Sequence, residues 1–192
     1  MAIEVEKKYR LTKRQREQLL LRLQDVGATL LGEEFEENIL FAGGDLNERQ
    51  CVLRLRRVGQ HAILAYKERF PSSSSIKHQR EDETGVEDPE AMMDILDALG
   101  FTPALIYEKR RATWRFRDAT VAVDELPFGF YAEIEGEEKK IREVEQLLNL
   151  SKVKPELATY PALTRHFGKE LDGIIEARFK SKAEGGRMKD ER

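Results

Sequence analysis

Cysteine, tryptophan and long apolar runs are scarce in this sequence. Cys51 is the single cysteine among 192 residues, which excludes an internal disulfide framework and gives no reason to expect an oxidising compartment. No run approaches the roughly 18 consecutive apolar residues that a membrane-spanning helix needs. The chain also enters a charged segment at once, without the apolar core of a signal peptide. We therefore expect a cytoplasmic protein that crosses no membrane.

An excess of basic charge is also missing. The 33 Lys and Arg residues are balanced by 36 Asp and Glu residues, giving a formal net charge of -3. A general nucleic-acid binder would show a basic excess, so we expect no nucleic-acid partner. The length and the 40% of hydrophobic residues predict one globular domain over residues 1–175. The polar segment 176–192 is expected to be a disordered tail.

Three helices and about eight strands are predicted along the chain. Thr12 with Gln15 forms a capping box before the first helix, and Asp88 followed by Pro89 begins the second. A third helix is expected over residues 138–150. The predicted strands are the N-terminal strand around residues 3–9 and segments 38–42, 52–58, 62–67, 76–84, 105–117, 120–125 and 130–136. A serine-rich loop is expected over 70–75.

Charged and apolar residues alternate along several of these strands, and the charges are grouped by sign. In the first strand, Glu4, Glu6 and Lys8 share one face while Ile3 and Val5 share the other. The other same-sign pairs are Glu81/Glu83, Glu133/Glu135, Arg54/Arg56 and Lys109/Arg111. One explanation is the wet face of an antiparallel sheet. The other is the interior of a closed barrel whose apolar outer faces are covered by the amphipathic helices.

A barrel interior with this many ionisable groups requires charged ligands, because unpaired buried charges are costly. Carboxylate clusters suit hard divalent cations such as Mg²⁺ or Mn²⁺. Arginine forks and lysine ammonium groups suit phosphate oxygens. A cavity with both groups is chemically suited to a metal-bound polyphosphate.

The same blocks of residues resemble the CYTH superfamily, which is named for class IV adenylate cyclases and thiamine triphosphatases. Its members are also called triphosphate tunnel metalloenzymes. The similarity begins with the ExExK pattern of Glu4, Glu6 and Lys8 and spans roughly residues 1–170. The other blocks, in order, are Leu53-Arg54-Leu55-Arg56, Ala65-Tyr66-Lys67, Arg80-Glu81-Asp82-Glu83, Tyr107-Glu108-Lys109-Arg110-Arg111, Val123-Asp124-Glu125-Leu126, Ala132-Glu133-Ile134-Glu135 and Thr159-Tyr160-Pro161-Ala162-Leu163.

The resemblance implies an α+β fold, a closed eight-stranded antiparallel β-barrel, or tunnel, with helices packed outside. The metal ligands that it implies are Glu4, Glu6, Glu133 and Glu135, supported by Glu81, Glu83 and Asp124. The triphosphate ligands that it implies are Lys8, Arg54, Arg56, Lys67, Lys109 and Arg111, with Arg80 as an additional candidate. Glu4, Glu6, Lys8 and Lys67 are the candidate catalytic residues.

Three functions are compatible with such a site. A triphosphatase would add water to the terminal phosphorus of tripolyphosphate, thiamine triphosphate or a nucleoside triphosphate. A class IV cyclase would convert ATP to cyclic AMP and pyrophosphate. A binding module would hold polyphosphate or nucleotide without turnover. We favour hydrolysis, because it needs only a triphosphate and the sequence has no obvious adenine-binding motif. The oligomeric state is open, with a homodimer as one option.

The remaining reactive residue types form no convincing pattern. His61, His78 and His166 are scattered and show no metal-ligand spacing. Cys51 opens a strand without an evident base, which favours a structural thiol. Trp114 falls on the apolar face of its strand, so we expect it in the core.

Overall fold

The computed structural model describes residues 2–70 and 75–180, which contain ten strands and four helices. Eight strands carry the main sheet: β1 (Ala2–Leu11), β2 (Thr29–Ala42), β3 (Cys51–Val58), β4 (His61–Arg69), β5 (Lys77–Val86), β6 (Thr102–Phe116), β7 (Ala119–Leu126) and β8 (Gly129–Glu135). The helices are α1 (Lys13–Asp25), α2 (Pro89–Ala98), α3 (Glu138–Leu147) and α4 (Tyr160–Phe167). Two short strands follow, β9 (Lys169–Leu171) and β10 (Ile174–Ala177).

The eight main strands form a closed barrel. Their order is β2-β3-β4-β5-β1-β8-β7-β6, each neighbouring pair is antiparallel, and β2 also pairs with β6 to close the ring. This confirms the predicted α+β barrel with helices outside. The additional strand β10 pairs in parallel with residues 105–107 of β6, and it pairs antiparallel with β9.

Local sequence signals fix the starts of α1 and α2 as predicted, whereas α3, predicted over residues 138–150, ends at Leu147. The Thr12 hydroxyl accepts a hydrogen bond from the Gln15 backbone N–H at 3.2 Å, and the Gln15 side chain accepts one from the Thr12 N–H at 2.8 Å. Asp88 accepts hydrogen bonds from two backbone N–H groups at the start of α2. The sequence did not predict where α4 begins. In the structure it begins directly after its N-cap residue, Thr159.

The apolar faces of the strands point outward, against the helices. Leu23 of α1 and Ile141 of α3 pack with Tyr9 and Ile134 of the barrel, and all four are fully buried. Leu96 of α2 covers another part of the wall. Burying one such side chain stabilises the fold by roughly 1.5–3 kcal/mol, which fixes the register of each strand. The charged side chains are therefore turned inward.

The predicted serine-rich loop and the predicted C-terminal tail lie partly outside the described residues. Residues 71–74 of the serine-rich loop and residues 181–192 of the predicted tail lie outside the described residues. Residues 176 and 177, which we assigned to the tail, belong to β10. Within residues 2–70 and 75–180, no helix is long and apolar enough to cross a membrane.

Candidate active site

A cavity of about 550 Å³ lies inside the barrel. Its charged lining residues are Glu4, Glu6, Lys8, Arg54, Arg56, Lys67, Glu81, Glu83, Lys109, Arg111, Glu133 and Glu135. Its neutral lining residues are Leu40, Gln50, Val52, Gln79, Tyr107, Thr159, Tyr160 and Pro161. Twelve of the fourteen predicted site residues thus meet in one cavity, and the two that do not are Arg80 and Asp124.

The carboxylates come from three adjacent strands, β5, β1 and β8, and form what we call the acidic wall: Glu4, Glu6, Glu81, Glu83, Glu133 and Glu135. Each strand contributes every second residue, as the alternation predicted. In the β1–β8 pair, Glu6 lies opposite Glu135 and Lys8 lies opposite Glu133. The charged lining residues of β5 and β8 are all carboxylates. The strand between them, β1, contributes two carboxylates and Lys8.

Three carboxylates of the acidic wall are only partly neutralised by their surroundings. Burial raises the pKa of Glu4, Glu6 and Glu135, and repulsion from neighbouring carboxylates adds to the effect for each. The Lys67 ammonium lies 3.2 Å from Glu4, and the Lys77 ammonium lies 3.4 Å from Glu6. These contacts do not outweigh burial and repulsion. The charged forms of the three glutamates are thus disfavoured without a further cation.

Four cationic side chains on β3 and β6 form the basic wall: Arg54, Arg56, Lys109 and Arg111. Arg54 lies 3.2 Å from Glu83, and Arg111 lies 2.5 Å from Glu133, so each reaches a carboxylate of the acidic wall two strands away along the barrel. Lys67 of β4 lies between the walls, 2.7 Å from Glu81, and Lys8 of β1 adds a cation within the acidic wall, 3.4 Å from Glu133.

Two carboxylates hold the basic wall from behind the cavity surface. Asp124, predicted as a supporting metal ligand, is fully buried and accepts hydrogen bonds from the Arg111 guanidinium at 2.8 and 2.7 Å. Glu36 lies 3.0 Å from Lys109. Burial alone would raise the pKa of Glu36, but attraction by Lys109, Arg111 and Arg56 lowers it to about 2. Both carboxylates therefore contact cations of the basic wall, and neither lines the cavity.

Sequence reasoning missed Glu36. It lies in the middle of β2, where Glu33, Glu34, Glu36 and Glu37 leave no alternation to show which residues point inward. Only the pairing of Glu36 with Lys109 across the β2–β6 closure could have revealed it, and strand order is not visible in the sequence.

Arg80 is a correction. The alternation that turns Glu81 and Glu83 inward turns Arg80 outward, where its guanidinium lies 2.6 Å from Asp82. It also lies over the ring of Tyr66, outside the cavity. The structure therefore places Arg80 outside the cavity, where it lines none of the predicted phosphate site, and it places Glu81 and Glu83 inside.

Tyr160 was quoted only as part of a sequence block, yet it connects three of the predicted site residues. Its ring lies 3.9 Å from the Lys8 ammonium and 5.5 Å from that of Lys109, within cation–π range. Its hydroxyl donates a hydrogen bond of 2.6 Å to Asp124. The start of α4 therefore closes over the basic groups and restricts their orientations.

Histidine and tryptophan behave as the sequence indicated. His78 lies 3.0 Å from Glu138 at the start of α3, and His166 packs on Phe167. Trp114 is buried in the core that α1 and α3 cover.

The donor set of the acidic wall fits a divalent cation by its chemistry. All of its ligands are carboxylate oxygens, and their mutual repulsion would be relieved by positive charge. Across the described residues, no group of three or more His, Cys, Asp or Glu side chains is arranged so that it could hold a metal ion directly. Instead, Glu4 and Glu6 contact Lys67, Gln79 and Lys77. Metal binding would require these partners to be exchanged.

Known proteins resemble this chain in both sequence and fold. A protein from Methanocaldococcus jannaschii named "Putative adenylate cyclase" is 28% identical over 150 residues, which cover 76% of this chain and 83% of that protein. A protein structure from Pyrococcus horikoshii matches with a TM-score of 0.71 at 24% identity, covering 82% of this chain and 96% of the other.

A third comparison extends over more of the chain. The structure of a "Putative adenylyl cyclase" from Hippeastrum, described as revealing a dominant triphosphatase activity, matches with a TM-score of 0.67 at 21% identity. It covers 91% of this chain and 100% of its own. At this identity the likeness shows the shared fold. The family is shown by a model of the CYTH domain, which matches residues 2–161, so this chain belongs to the CYTH family.

Proposed function

We propose that this protein hydrolyses a triphosphate inside the barrel, releasing orthophosphate from its terminal end with the help of a divalent cation. Members of the CYTH family are triphosphatases or class IV adenylate cyclases. The observation that carries the proposal is the pair of opposed charged walls in one cavity, one rich in carboxylates and one rich in arginine and lysine.

The basic wall would bind the triphosphate. Arg54 and Arg111 present planar forks that can donate two parallel hydrogen bonds to phosphate oxygens, whereas Lys109 contributes a point charge. Because Glu36 and Asp124 already orient Lys109 and Arg111, little reorganisation is needed when the substrate arrives. Arg54 would exchange its contact with Glu83 for the substrate.

The acidic wall would hold the cation, with Glu4, Glu6 and Glu135 as principal ligands and Glu81, Glu83 and Glu133 beside them. A cation bound there would neutralise phosphate charge and lower the pKa of a water molecule. The same carboxylates would keep that water on the acidic side, in line with the terminal phosphorus. Mg²⁺ and Mn²⁺ both accept oxygen ligands, and we propose Mg²⁺ or Mn²⁺ as the activator.

In the reaction, the water oxygen would form a bond to the terminal phosphorus, the bridging P–O bond would break, and a carboxylate of the acidic wall would accept the proton that the water loses. Orthophosphate leaves, and the remaining diphosphate carries the electron pair of the broken bond. Lys8 and Lys67 line the cavity beside the carboxylates, where they would stabilise that negative charge. All of these roles involve the phosphate groups of the substrate, and none of them depends on the group attached to the triphosphate.

Cyclisation of ATP is the second candidate. It is favoured by the name of the Methanocaldococcus jannaschii relative. Hydrolysis is favoured by the dominant triphosphatase activity described for the Hippeastrum protein. It is also the simpler reaction, because it requires only a triphosphate. The two reactions give different products from ATP, cyclic AMP with pyrophosphate or ADP with orthophosphate.

The test is product analysis with purified protein. Tripolyphosphate, thiamine triphosphate and ATP are each incubated with Mg²⁺, with Mn²⁺ and with chelator. Metal-dependent orthophosphate supports hydrolysis, and cyclic AMP would assign the cyclase instead. Metal-dependent binding without product would contradict an enzymatic role and indicate a binding module.

The proposal also covers the cellular location of the protein, the class of its substrate and its oligomeric state. We propose a cytoplasmic protein that acts on a small molecule, supported by its single cysteine and its balanced charge. A homodimer remains an option, and sedimentation of the full chain would test it.

A further inference from the structure

Asn38 is a buried polar residue at the start of an apolar stretch of β2. Its side chain is fully buried, and the next three residues, Ile39, Leu40 and Phe41, are buried as well. Among the residues that the structure describes, its carbonyl oxygen Oδ1 has no hydrogen-bond partner. Asn is uncommon in strands, and a buried polar atom without a partner costs free energy. Folding alone would therefore favour an apolar residue at this position.

The amide nitrogen of Asn38 contacts Glu36, two residues earlier on the same inward face of β2. Asn38 Nδ2 donates a hydrogen bond of 3.2 Å to Glu36 Oε2. The same oxygen lies 3.0 Å from the Lys109 ammonium, whereas Glu36 Oε1 lies 3.8 Å from Nε of Arg111. The hydrogen bond from Asn38 therefore fixes which carboxylate oxygen faces Lys109.

Asn38 is well placed to hold its longer neighbours still. Glu36 and Lys109 have long side chains that lose conformational freedom when they are kept in one geometry, whereas the Asn side chain is short. The Asn38 backbone is paired on both sides, with Arg56 of β3 and with Tyr107 of β6. A short side chain on a doubly paired strand gives the Glu36 carboxylate a fixed reference point.

Keeping Glu36 charged does not explain the presence of Asn38. Attraction by Lys109, Arg111 and Arg56 lowers the pKa of Glu36 to about 2, although burial alone would raise it. These three cations are therefore enough to hold the carboxylate in its charged form. What the amide of Asn38 adds is direction, because an ammonium group accepts many orientations of its partner and a hydrogen-bonded amide accepts few.

Asn38 does not touch the substrate site itself. Leu40 and Tyr107 line the cavity beside it, but Asn38 is not among the lining residues. Lys109 does line the cavity, and it is one of the cations assigned to the triphosphate. Any effect of Asn38 on the substrate must therefore pass through Glu36 and Lys109.

We propose that Asn38 is a positioning residue for triphosphate binding, which orients the Glu36 carboxylate so that Glu36 directs the Lys109 ammonium toward the cavity. This inference rests on the proposed function, in which Lys109 binds a phosphate group of the substrate. It adds a residue that contacts neither the substrate nor the cation.

The experiment measures the affinity for tripolyphosphate by calorimetry with chelator present, where the proposed metal-dependent hydrolysis does not proceed. N38L keeps the branched shape of the side chain and replaces both polar atoms with methyl groups. E36Q removes the charge through which Asn38 acts, and the double variant N38L/E36Q combines the two changes. I39V is the matched control, because Ile39 is the next residue and packs in the core that α2 covers.

N38L should weaken tripolyphosphate binding about tenfold, because a misdirected Lys109 loses much of a charge-assisted hydrogen bond to phosphate. With Mg²⁺, KM should rise by a similar factor, and the Mg²⁺ concentration for half-maximal activity should stay within about twofold. In the E36Q background, N38L should change the affinity less than about twofold, because residues that act through one another are not additive. I39V should lower the melting temperature and leave the affinity unchanged.

The inference is overturned if N38L binds tripolyphosphate as tightly as the unmodified protein, or if N38L weakens binding equally in the E36Q background. If N38L does not fold, N38A removes the amide without added volume, and the same two outcomes decide. If the unmodified protein binds tripolyphosphate but releases orthophosphate from no triphosphate, the proposed hydrolysis fails and the calorimetric comparison still decides the role of Asn38. Absence of tripolyphosphate binding, both with Mg²⁺ and with chelator, would overturn both.

Discussion

The acidic and basic walls follow the same strand alternation, yet they differ in how their charges are balanced. On the basic wall, Lys109 and Arg111 have buried partners that do not reach the cavity, and Glu36 accordingly has a pKa of about 2. On the acidic wall, burial and mutual repulsion raise the pKa of Glu6 and Glu135. Burial and repulsion from Arg111 nevertheless lower the pKa of Lys109, so an added anion would stabilise the charged form of Lys109, whereas an added cation would stabilise the acidic wall.

The largest effect is expected from removing a carboxylate of the acidic wall. E6Q should lower kcat roughly a thousandfold, because a metal ion supplies several kcal/mol and each 1.36 kcal/mol is a factor of ten. Its melting temperature should stay the same or rise, because a raised pKa means that the charged glutamate destabilises the folded state. Phosphate release and calorimetry measure the two effects.

E125Q is the control for this change. Glu125 contacts Arg110 at the outer surface of β7, so the kcat of the E125Q variant should stay within twofold of that of the unmodified protein. Retained activity in E6Q would contradict the assignment of the acidic wall to metal binding.

Removing the support of the basic wall should have the next largest effect. At pH 7, E36Q should lower the free energy of unfolding by about 3 kcal/mol, since a pKa lowered from 4.5 to about 2 is worth about 1.36 kcal/mol per unit. A lowered pKa gives stability that is present above pH 4.5 and lost as the pH falls toward 2. The difference between E36Q and the unmodified protein should therefore shrink between pH 5 and pH 2.

Urea unfolding at several pH values measures this difference, with E37Q as the control. Glu37 is the next residue and pairs with Arg178 near the surface, so its loss should cost less than about 1 kcal/mol. A loss in E36Q that is as large at pH 3 as at pH 7 would show that Glu36 acts by packing and not by charge.

A change on the substrate side of the basic wall should separate its role from that of the acidic wall. R54A should raise KM about 10- to 100-fold, because charge-assisted hydrogen bonds contribute roughly 1.5–3 kcal/mol each. The metal concentration needed for half-maximal activity should stay the same. Initial rates over a grid of substrate and metal concentrations measure both constants.

The neighbouring R57A is the matched control, because Arg57 pairs with Glu90 of α2 on the outer surface. Its KM should be unchanged. Unfolding of R54A would instead place Arg54 in a structural network.

The smallest effect is expected at Arg80. Because its guanidinium pairs with Asp82 outside the cavity, R80A should leave kcat and KM within twofold and reduce stability by less than about 1 kcal/mol. A tenfold rise in KM would return Arg80 to the site and contradict the orientation of β5.

The sequence allowed most of the charged cavity to be predicted, because β1, β3 and β8 alternate cleanly and each apolar face has a helix to cover it. It did not reveal Glu36, whose strand lacks alternation, or the partners that place Asp124 behind the surface. It did not reveal which apolar residues line the cavity either. Leu40, Val52 and Tyr107 have the same pattern as core residues, and only their position relative to the cavity distinguishes them.

The position of β1 between β5 and β8 has a consequence for synthesis of the chain. Glu6 pairs with Lys77 on one side and with Glu135 on the other, so β1 must wait for partner strands that are synthesised later. An unpaired strand edge invites association with other chains unless charge opposes it. Glu4, Glu6 and Lys8 supply that charge, so the residues that we assign to ligand binding also keep the nascent strand apart from its neighbours until the barrel closes.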